Sequence, residues 1–354
     1  MHSIKAKNLD EAWLCSLELL KSQGLSQDSR DQKTIEVVHV GLEITDPRQR
    51  VLFARDINPA FAIVEVIANL AGSNDVSFLG FWNKKMNDFS DEGRPYFHGA
   101  YGYRLSAAPD IELEISKKLR HEIAPVISKG DQLKKVLRAL QNTQHSRQAV
   151  LQYWDANLDL PDPKPTSNDV PCNLVSHLMI RDGKLEWLQV MRSNDMIWGL
   201  PYDCIQFTAL QEIMAGWLGV EVGTYNHLSD SLHLYERHFS YLKNDFKKTS
   251  IPLNGSDLRI GSYEKWQDVF REVVEITVGF SEKDVENDIL NELKKAKNLP
   301  KAYGEWIYLL AAERLRMIGR NDSACATVKE AGEYWATSWN QWFKSKIKKE
   351  LLND

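Results

Sequence analysis

The stretch from Leu174 to Leu218 constrains this chain most. Leu174–Ile180 and Leu185–Met191 flank Arg181-Asp182-Gly183-Lys184. Asp-Gly is the chemistry of a two-residue hairpin turn, because its backbone matches the twist of the strands it joins. A β-hairpin is therefore expected. Ile205–Leu218 follows, with Ile205, Ala209, Ile213 and Trp217 along one side, the period of a helix.

Other elements are legible around this unit. Asn8–Lys21 reads as an amphipathic helix with Leu9, Trp13, Leu17 and Leu20 on one face. Thr34–Leu42 is β-branched and reads as a strand. Asn58-Pro59 starts a helix, proline being favoured in a first turn, with Phe61, Val64 and Ala68 in a stripe. Leu133–Leu140 reads as a helix and Ala149–Trp154 as a strand. Leu158–Asp169, with Pro161, Pro163 and Pro165, reads as a loop. From about Ile251 the pattern becomes helical and rich in Lys, Glu and Trp, over Tyr263–Thr277, Glu282–Lys297, Tyr303–Ile318 and Ser323–Leu351. A boundary near Lys248–Asn254 separates residues 1–250 from a helical extension, 251–354. In that extension Trp335, Trp339 and Trp342 share one helical face, expected to pack on the main domain. Lys344–Lys349 reads as a solvated helix end.

Composition narrows the function. With 354 residues and 43% hydrophobic content the chain can build a sizeable core. A net charge of −5 argues against bulk electrostatic binding of nucleic acid or anionic membrane. No charged-then-apolar leader follows Met1, and no apolar run approaches the ~18 residues of a membrane span. A soluble cytoplasmic protein is expected. Cys15, Cys172, Cys204 and Cys325 are widely spaced, without a CxxC or a His-Cys cluster. That disfavours a disulfide framework and a metal site, and fits a reducing compartment.

The chemistry concentrates after residue 169. Pro171-Cys172 is followed by Arg192-Ser193-Asn194-Asp195, then Gly199-Leu-Pro-Tyr-Asp203, then His233-Leu-Tyr235. This resembles the nucleotide-binding half of the thymidylate synthase family, PC…RS-x-D…G-x-P-(F/Y)-(N/D)…H-x-Y. The resemblance runs over about residues 35–245 and is most specific from Cys172 to Tyr235. It implies the family's α/β (α+β) fold: a large mixed sheet with flanking helices, here with a helical C-terminal appendage. It also implies one-carbon transfer to C5 of a pyrimidine nucleoside monophosphate from 5,10-methylenetetrahydrofolate, in a homodimer.

Residue by residue, the resemblance assigns roles. Cys172 matches the nucleophile that adds to C6, making C5 nucleophilic. Taken by itself, a lone cysteine is more often a small buried hydrophobe. Arg192 and Ser193 match the phosphate-binding pair, and a guanidinium suits a phosphate bidentately. Arg147, in His145-Ser-Arg-Gln148, resembles the SRR motif that reaches the partner subunit's nucleotide, with Gln148 in place of the second arginine. A further phosphate arginine falls in Asp46-Pro-Arg48-Gln-Arg50, with Arg48 preferred. His233 and Tyr235 match the pair that binds the sugar 3′-hydroxyl; the usual Gly-Asp upstream is altered to Asp230-Ser231-Leu232. Ribose and deoxyribose both stay open.

Glu65, in a very apolar segment, resembles the glutamate that works through water near the base. Its neighbours Ala68-Asn69 replace the family's Trp-Phe. A carboxylate there is costly unless paired or used. Tyr101 matches the tyrosine of a VYG segment. On the folate side lie Asp195, Trp82 and Gly199; core packing is the plain alternative for Trp82, and a surface carboxylate for Asp195.

Asp203 stands where thymidylate synthases carry the asparagine that reads uracil. An amide offers one acceptor and one donor, matching N3–H and O4. An ionised carboxylate suits the cytosine amino group instead, and facing uracil it leaves an unpaired acceptor costing roughly 1–3 kcal/mol. The substitution resembles the cytidylate hydroxymethylases, in which water captures the C5 carbon unit. The expected reaction is therefore 5-hydroxymethylation of dCMP or CMP. Methylation of dUMP is the alternative enzyme, and a non-catalytic nucleotide-binding protein the alternative of another class.

Overall fold

The computed structural model describes residues 1–354 except 30–31, 92, 106–117, 122–130, 161–166, 168, 247–253 and 352–354. The boundary expected at Lys248–Asn254 and most of the proline-rich loop thus lie outside the described residues.

Eight strands form one mixed sheet: β1 (His2–Ala6), β2 (Leu25–Ser29), β3 (Gln32–Ile44), β4 (Val150–Gln152), β5 (Asn173–Arg181), β6 (Lys184–Met191), β7 (Asn194–Asp195) and β8 (Glu221–Tyr235). The order is β1-β3-β8-β6-β5-β4, with β2 on β3 and β7 on β8. β1 runs parallel to β3, and β8 parallel to β6 and β7; the other pairs are antiparallel. The β5–β6 hairpin turns at Asp182 and Gly183, whose φ of 48° and 71° are the values Asp-Gly tolerates.

Alternate rows of the sheet face opposite ways, as a pleat requires. Ile44, Tyr225, Trp187 and Leu178 lie side by side across four strands and are buried. The next row is Glu43, Asn226, Leu188, His177 and Val150. It keeps exposure throughout, with Leu188 at 37% and Val150 at 45%.

Helices α1 (Leu9–Gln23), α2 (Pro59–Leu70), α3 (Val76–Trp82), α4 (Tyr101–Leu105), α5 (Gln132–Asn142) and α6 (Leu200–Leu218) surround the sheet. Asn58 caps α2 by accepting from the backbone N–H groups of Ala60 and Phe61, with Pro59 in the first turn. Helix α6 begins ahead of the expected Ile205, because Pro201 fits its first turn and Gly199 precedes it. The long central strand β8 was not legible: Thr224, Asn226, Ser229 and Ser231 give it too polar a composition.

The C-terminal part is helical: α7 (Tyr263–Ser281), α8 (Glu286–Leu293), α9 (Lys301–Met317), α10 (Asn321–Thr327) and α11 (Gly332–Leu351). The helix expected over Ser323–Leu351 is broken at Gly332, whose φ is 78°. A Cβ there would approach Glu305 Oε1 to 2.8 Å. These helices share one hydrophobic core with the sheet domain. Helices α9 and α11 pack on α2. The Val51 N–H donates to the Tyr334 hydroxyl at 2.7 Å, and Gln341 Nε2 donates to the Phe53 carbonyl at 2.9 Å. Trp335 and Trp339 are buried and Trp342 partly so, and the indole N–H of Trp339 donates to Glu313 of α9 at 3.2 Å, within the C-terminal helices. No helix among the described residues is long and apolar enough to cross a membrane.

Candidate active site

Cys172 sits in the turn leading into β5, half-buried and outside any disulfide. Its carbonyl accepts the Arg192 N–H at 2.8 Å, which ties the start of β5 to the end of β6. The Arg192 side chain folds back on the same turn: Nε donates to the Pro171 carbonyl at 2.9 Å and Nη2 to that of Val170 at 3.0 Å. Ser193 follows, half-buried. Thiol and cation are thus positioned by one hairpin.

Next in the chain, β7 pairs Asn194 and Asp195 with Leu232 and His233 of β8. The Asp195 carboxylate accepts from the backbone N–H groups of Ile197 and Trp198 at 3.1 and 2.9 Å. That folds a tight turn into α6. A Cβ at Gly199 would lie 2.9 Å from the Asp195 backbone, so only glycine permits this approach. His233 is buried and meets the Tyr235 ring edge-on at 4.9 Å. Burial pulls its pKa down, so its ring is neutral near pH 7.

Asp203 lies in the first turn of α6 and is 7% exposed. Burial pushes its pKa up to about 7, opposed by a hydrogen bond from Asn194 and reinforced by Asp195. Asn194 Nδ2 donates to Asp203 Oδ2 at 2.7 Å. Glu65 projects from α2, whose every other residue is buried. Its Oε2 is shut from solvent with no hydrogen-bond partner among the described residues. Burial first, and Asp203 second, hold the Glu65 carboxyl well above the usual range, while Gln206 opposes them. Gln206 is itself held: Asn69 Nδ2 donates to its Oε1 at 2.5 Å, and the Gly102 N–H donates to Asn69 Oδ1 at 3.1 Å.

Tyr101 opens α4 and packs against Tyr153 and Phe207. Burial raises its pKa strongly, followed in order by the charges of Asp203, Cys172 and Asp169, with Arg192 opposing. Cys172, Tyr101, Asp169, Arg192, Asp203 and Glu65 therefore converge. Such a site combines a thiol, two carboxyls whose pKa burial raises, that of Asp203 to about 7, and one guanidinium around a desolvated floor. It can add a nucleophile to a polarised ring and place a proton or a water beside it.

Other expected residues lie elsewhere. Arg48 Nε is 3.0 Å from Glu212 Oε1, and Arg50 pairs with Glu212 Oε2. Arg48 keeps 29% side-chain exposure against 2% for Arg50, so Arg48 is the more available to a ligand. Arg147 is exposed beside the sheet edge, its carbonyl 3.1 Å from His177 Nε2. Trp82 is buried, and its indole N–H has no partner among the described residues. Trp198, beside Asp195, is 40% exposed. Trp198 and the Asp195 carboxylate, adjacent in the turn before α6, could take a ring and its N–H donors.

Sequence reasoning missed Asn69, Asn194 and Gln206. Asn194 had a visible signal, a polar residue at the variable position of R-S-x-D. The other two read as ordinary helix positions.

The thymidylate synthase family model matches residues 13–280. The chain is 32% identical over 262 residues to a deoxyuridylate hydroxymethyltransferase of Pseudomonas phage M6, spanning 73% of this chain and 68% of that protein. It is 33% identical over 240 residues to the deoxyuridylate hydroxymethyltransferase of Bacillus phage SP01, spanning 66% and 59%. A third protein of that name, from Delftia phage PhiW-14, is 28% identical over 291 residues, 78% and 75% of the two chains.

Proposed function

This chain belongs to the thymidylate synthase family and is a one-carbon transferase of pyrimidine nucleotides, and we propose that it converts dUMP to 5-hydroxymethyl-dUMP. The observation that carries this reading is the pair of buried carboxyls, Glu65 and Asp203, beside Cys172 and Tyr101. The phage relatives, deoxyuridylate hydroxymethyltransferases by name, support uracil as the base.

In this reading Cys172 adds to C6 and leaves again once C5 has been substituted. 5,10-Methylenetetrahydrofolate supplies the one-carbon unit; Asp195, Trp82 and the turn at Gly199 would hold it. Asp203 in its neutral form carries an O–H donor, as an amide carries an N–H, and so can donate to O4 of uracil. Glu65 in its ionised form orders a water and takes a proton from it as the oxygen adds to the exocyclic methylene on C5. The Asn69–Gln206 chain keeps that carboxyl in place. Tyr101 shields the floor of the pocket from bulk water. Arg192 and Ser193 bind the phosphate, with Arg48 and a partner's Arg147, while His233 and Tyr235 face the sugar.

A homodimer fits the row of half-exposed residues centred on Leu188, which covers five strands and ends near Arg147. A closed pair would pack this face against its own copy. The cytoplasm is the compartment we propose, from the cysteine spacing.

One observation favours a second substrate. Ionised, Asp203 accepts from the 4-amino group of cytosine, which supports the dCMP or CMP reaction at higher pH. The test is tritium release from C5-labelled dUMP, dCMP and CMP with methylenetetrahydrofolate, followed by mass analysis. A gain of CH2O on dUMP is expected. A gain of CH2 would make the chain a thymidylate synthase, CH2O on a cytidylate would move the substrate, and no release from any of the three would refute catalysis.

A further inference from the structure

Asn194 belongs to none of the roles assigned above, yet it is built into the site. It is 2% exposed. Its Nδ2 donates to Asp203 Oδ2. Its Oδ1 is buried and meets no hydrogen-bond donor among the described residues. A buried amide oxygen left unpaired costs roughly 1–3 kcal/mol, so in a native fold it is met by an ordered water, an ion or a ligand.

Asn194 also decides where a proton on Asp203 can sit. Oδ2 is already accepting, so in the neutral acid the hydrogen resides on Oδ1. The pair then presents one donor, Asp203 Oδ1–H, beside one acceptor, Asn194 Oδ1. Uracil offers the complement, an acceptor at O4 beside a donor at N3. Cytosine offers a donor at N4 and an acceptor at N3, and Asn194 Oδ1 would oppose that N3.

We infer that Asn194 is a second base-reading residue, which fixes the donor side of Asp203 and accepts N3–H of uracil. Asn194 is thus a specificity residue for dUMP over dCMP. This rests on the hydroxymethylase reading and sharpens it.

The groups that interact electrostatically with Asp203 are Asp195 on β7, Glu65 on α2, Tyr101 on α4, Tyr225 on β8 and its neighbour Cys204. Against burial and Asp195, which raise its pKa, the hydrogen bond from Asn194 pulls it down. Removing Asn194 should therefore do two things at once. It should weaken uracil binding, and it should move the loss of activity with rising pH to higher pH.

The experiment measures kcat/KM against pH for dUMP and dCMP in wild type, Asn194→Leu and Asn194→Ala, with unfolding midpoints for each. For dUMP, a fall of about ten- to a hundredfold is expected in both variants, with the alkaline limb shifted upward and the preference over dCMP narrowed. An unchanged dUMP/dCMP ratio, or a loss of activity with the limb unmoved, would overturn the inference. Asp203→Asn supplies a measurement that needs no change at Asn194: it should retain dUMP turnover and lose the pH limb, and abolition of turnover would refute the donor role. No CH2O product from wild type on any nucleotide would instead defeat the hydroxymethylase reading itself.

Discussion

Glu212 offers the sharpest test of the energetics. Its carboxylate is fully buried on α6 and faces two guanidiniums, Arg48 and Arg50. It also accepts the Leu258 N–H at 3.2 Å, beyond the sheet domain. Glu212→Gln keeps the shape and removes the charge. Arg50, 3% exposed, is then left without its counter-ion. Breaking a buried pair on one side costs about 3–5 kcal/mol. An unfolding entropy near ~2.1 cal/mol/K per residue gives roughly 0.7 kcal/mol/K for a chain of this size, so the midpoint should fall by about 4–7 °C. Differential scanning calorimetry reads this directly, and hydrogen exchange should show Leu258 losing protection. Pairing Glu212→Leu with Arg50→Met should recover part of the loss, since apolar residues of similar volume replace buried pairs with little penalty. A midpoint within about one degree of wild type for Glu212→Gln would refute the reasoning, because it would mean the two cations are solvated without their partner.

Three further outcomes follow from the same structure. Cys172→Ala should abolish C5 tritium release and the covalent adduct with 5-fluoro-dUMP and folate, read by intact-protein mass, while leaving the fold unchanged. kcat/KM for dUMP should fall as pH rises through about 7, because the neutral form of Asp203 is the one that donates, and its raised pKa keeps that form dominant only below this point. Leu188→Glu, on the exposed sheet row, should yield monomers by sedimentation and lower activity by removing the partner's Arg147; a fully active monomer would refute the shared site.

What the sequence disclosed follows from where chemistry is local. Cys172, Arg192, Asp195 and Asp203 sit on one hairpin and the turn after it, so their spacing in the chain is nearly their spacing in space. The Asp182-Gly183 turn announced that hairpin. Glu65 was legible because a carboxyl in an apolar helix is rare. β8 was hidden, since a strand walled by neighbours on both edges can bury His227 and Ser229 without an apolar run. The Asn69–Gln206 contact joins α2 to α6 across 137 positions of chain, and no local pattern marks it. The choice between Arg48 and Arg50 was likewise open, because they lie two positions apart and the carboxylate both pair with, Glu212, is on a distant helix.

The packing of α9 and α11 on α2 bears on how the protein is made. Glu65 emerges early from the ribosome, on a helix that ends at Leu70, whereas α9 begins only at Lys301. Until those last helices arrive, α2 holds an apolar surface with nothing to cover it. The nascent chain therefore carries Glu65 on a helix that lacks part of its packing until α9 and α11 are made. Chaperones that shield exposed apolar helices are therefore expected to bind ribosome-stalled chains that end before Lys301 more than chains that end after Leu351.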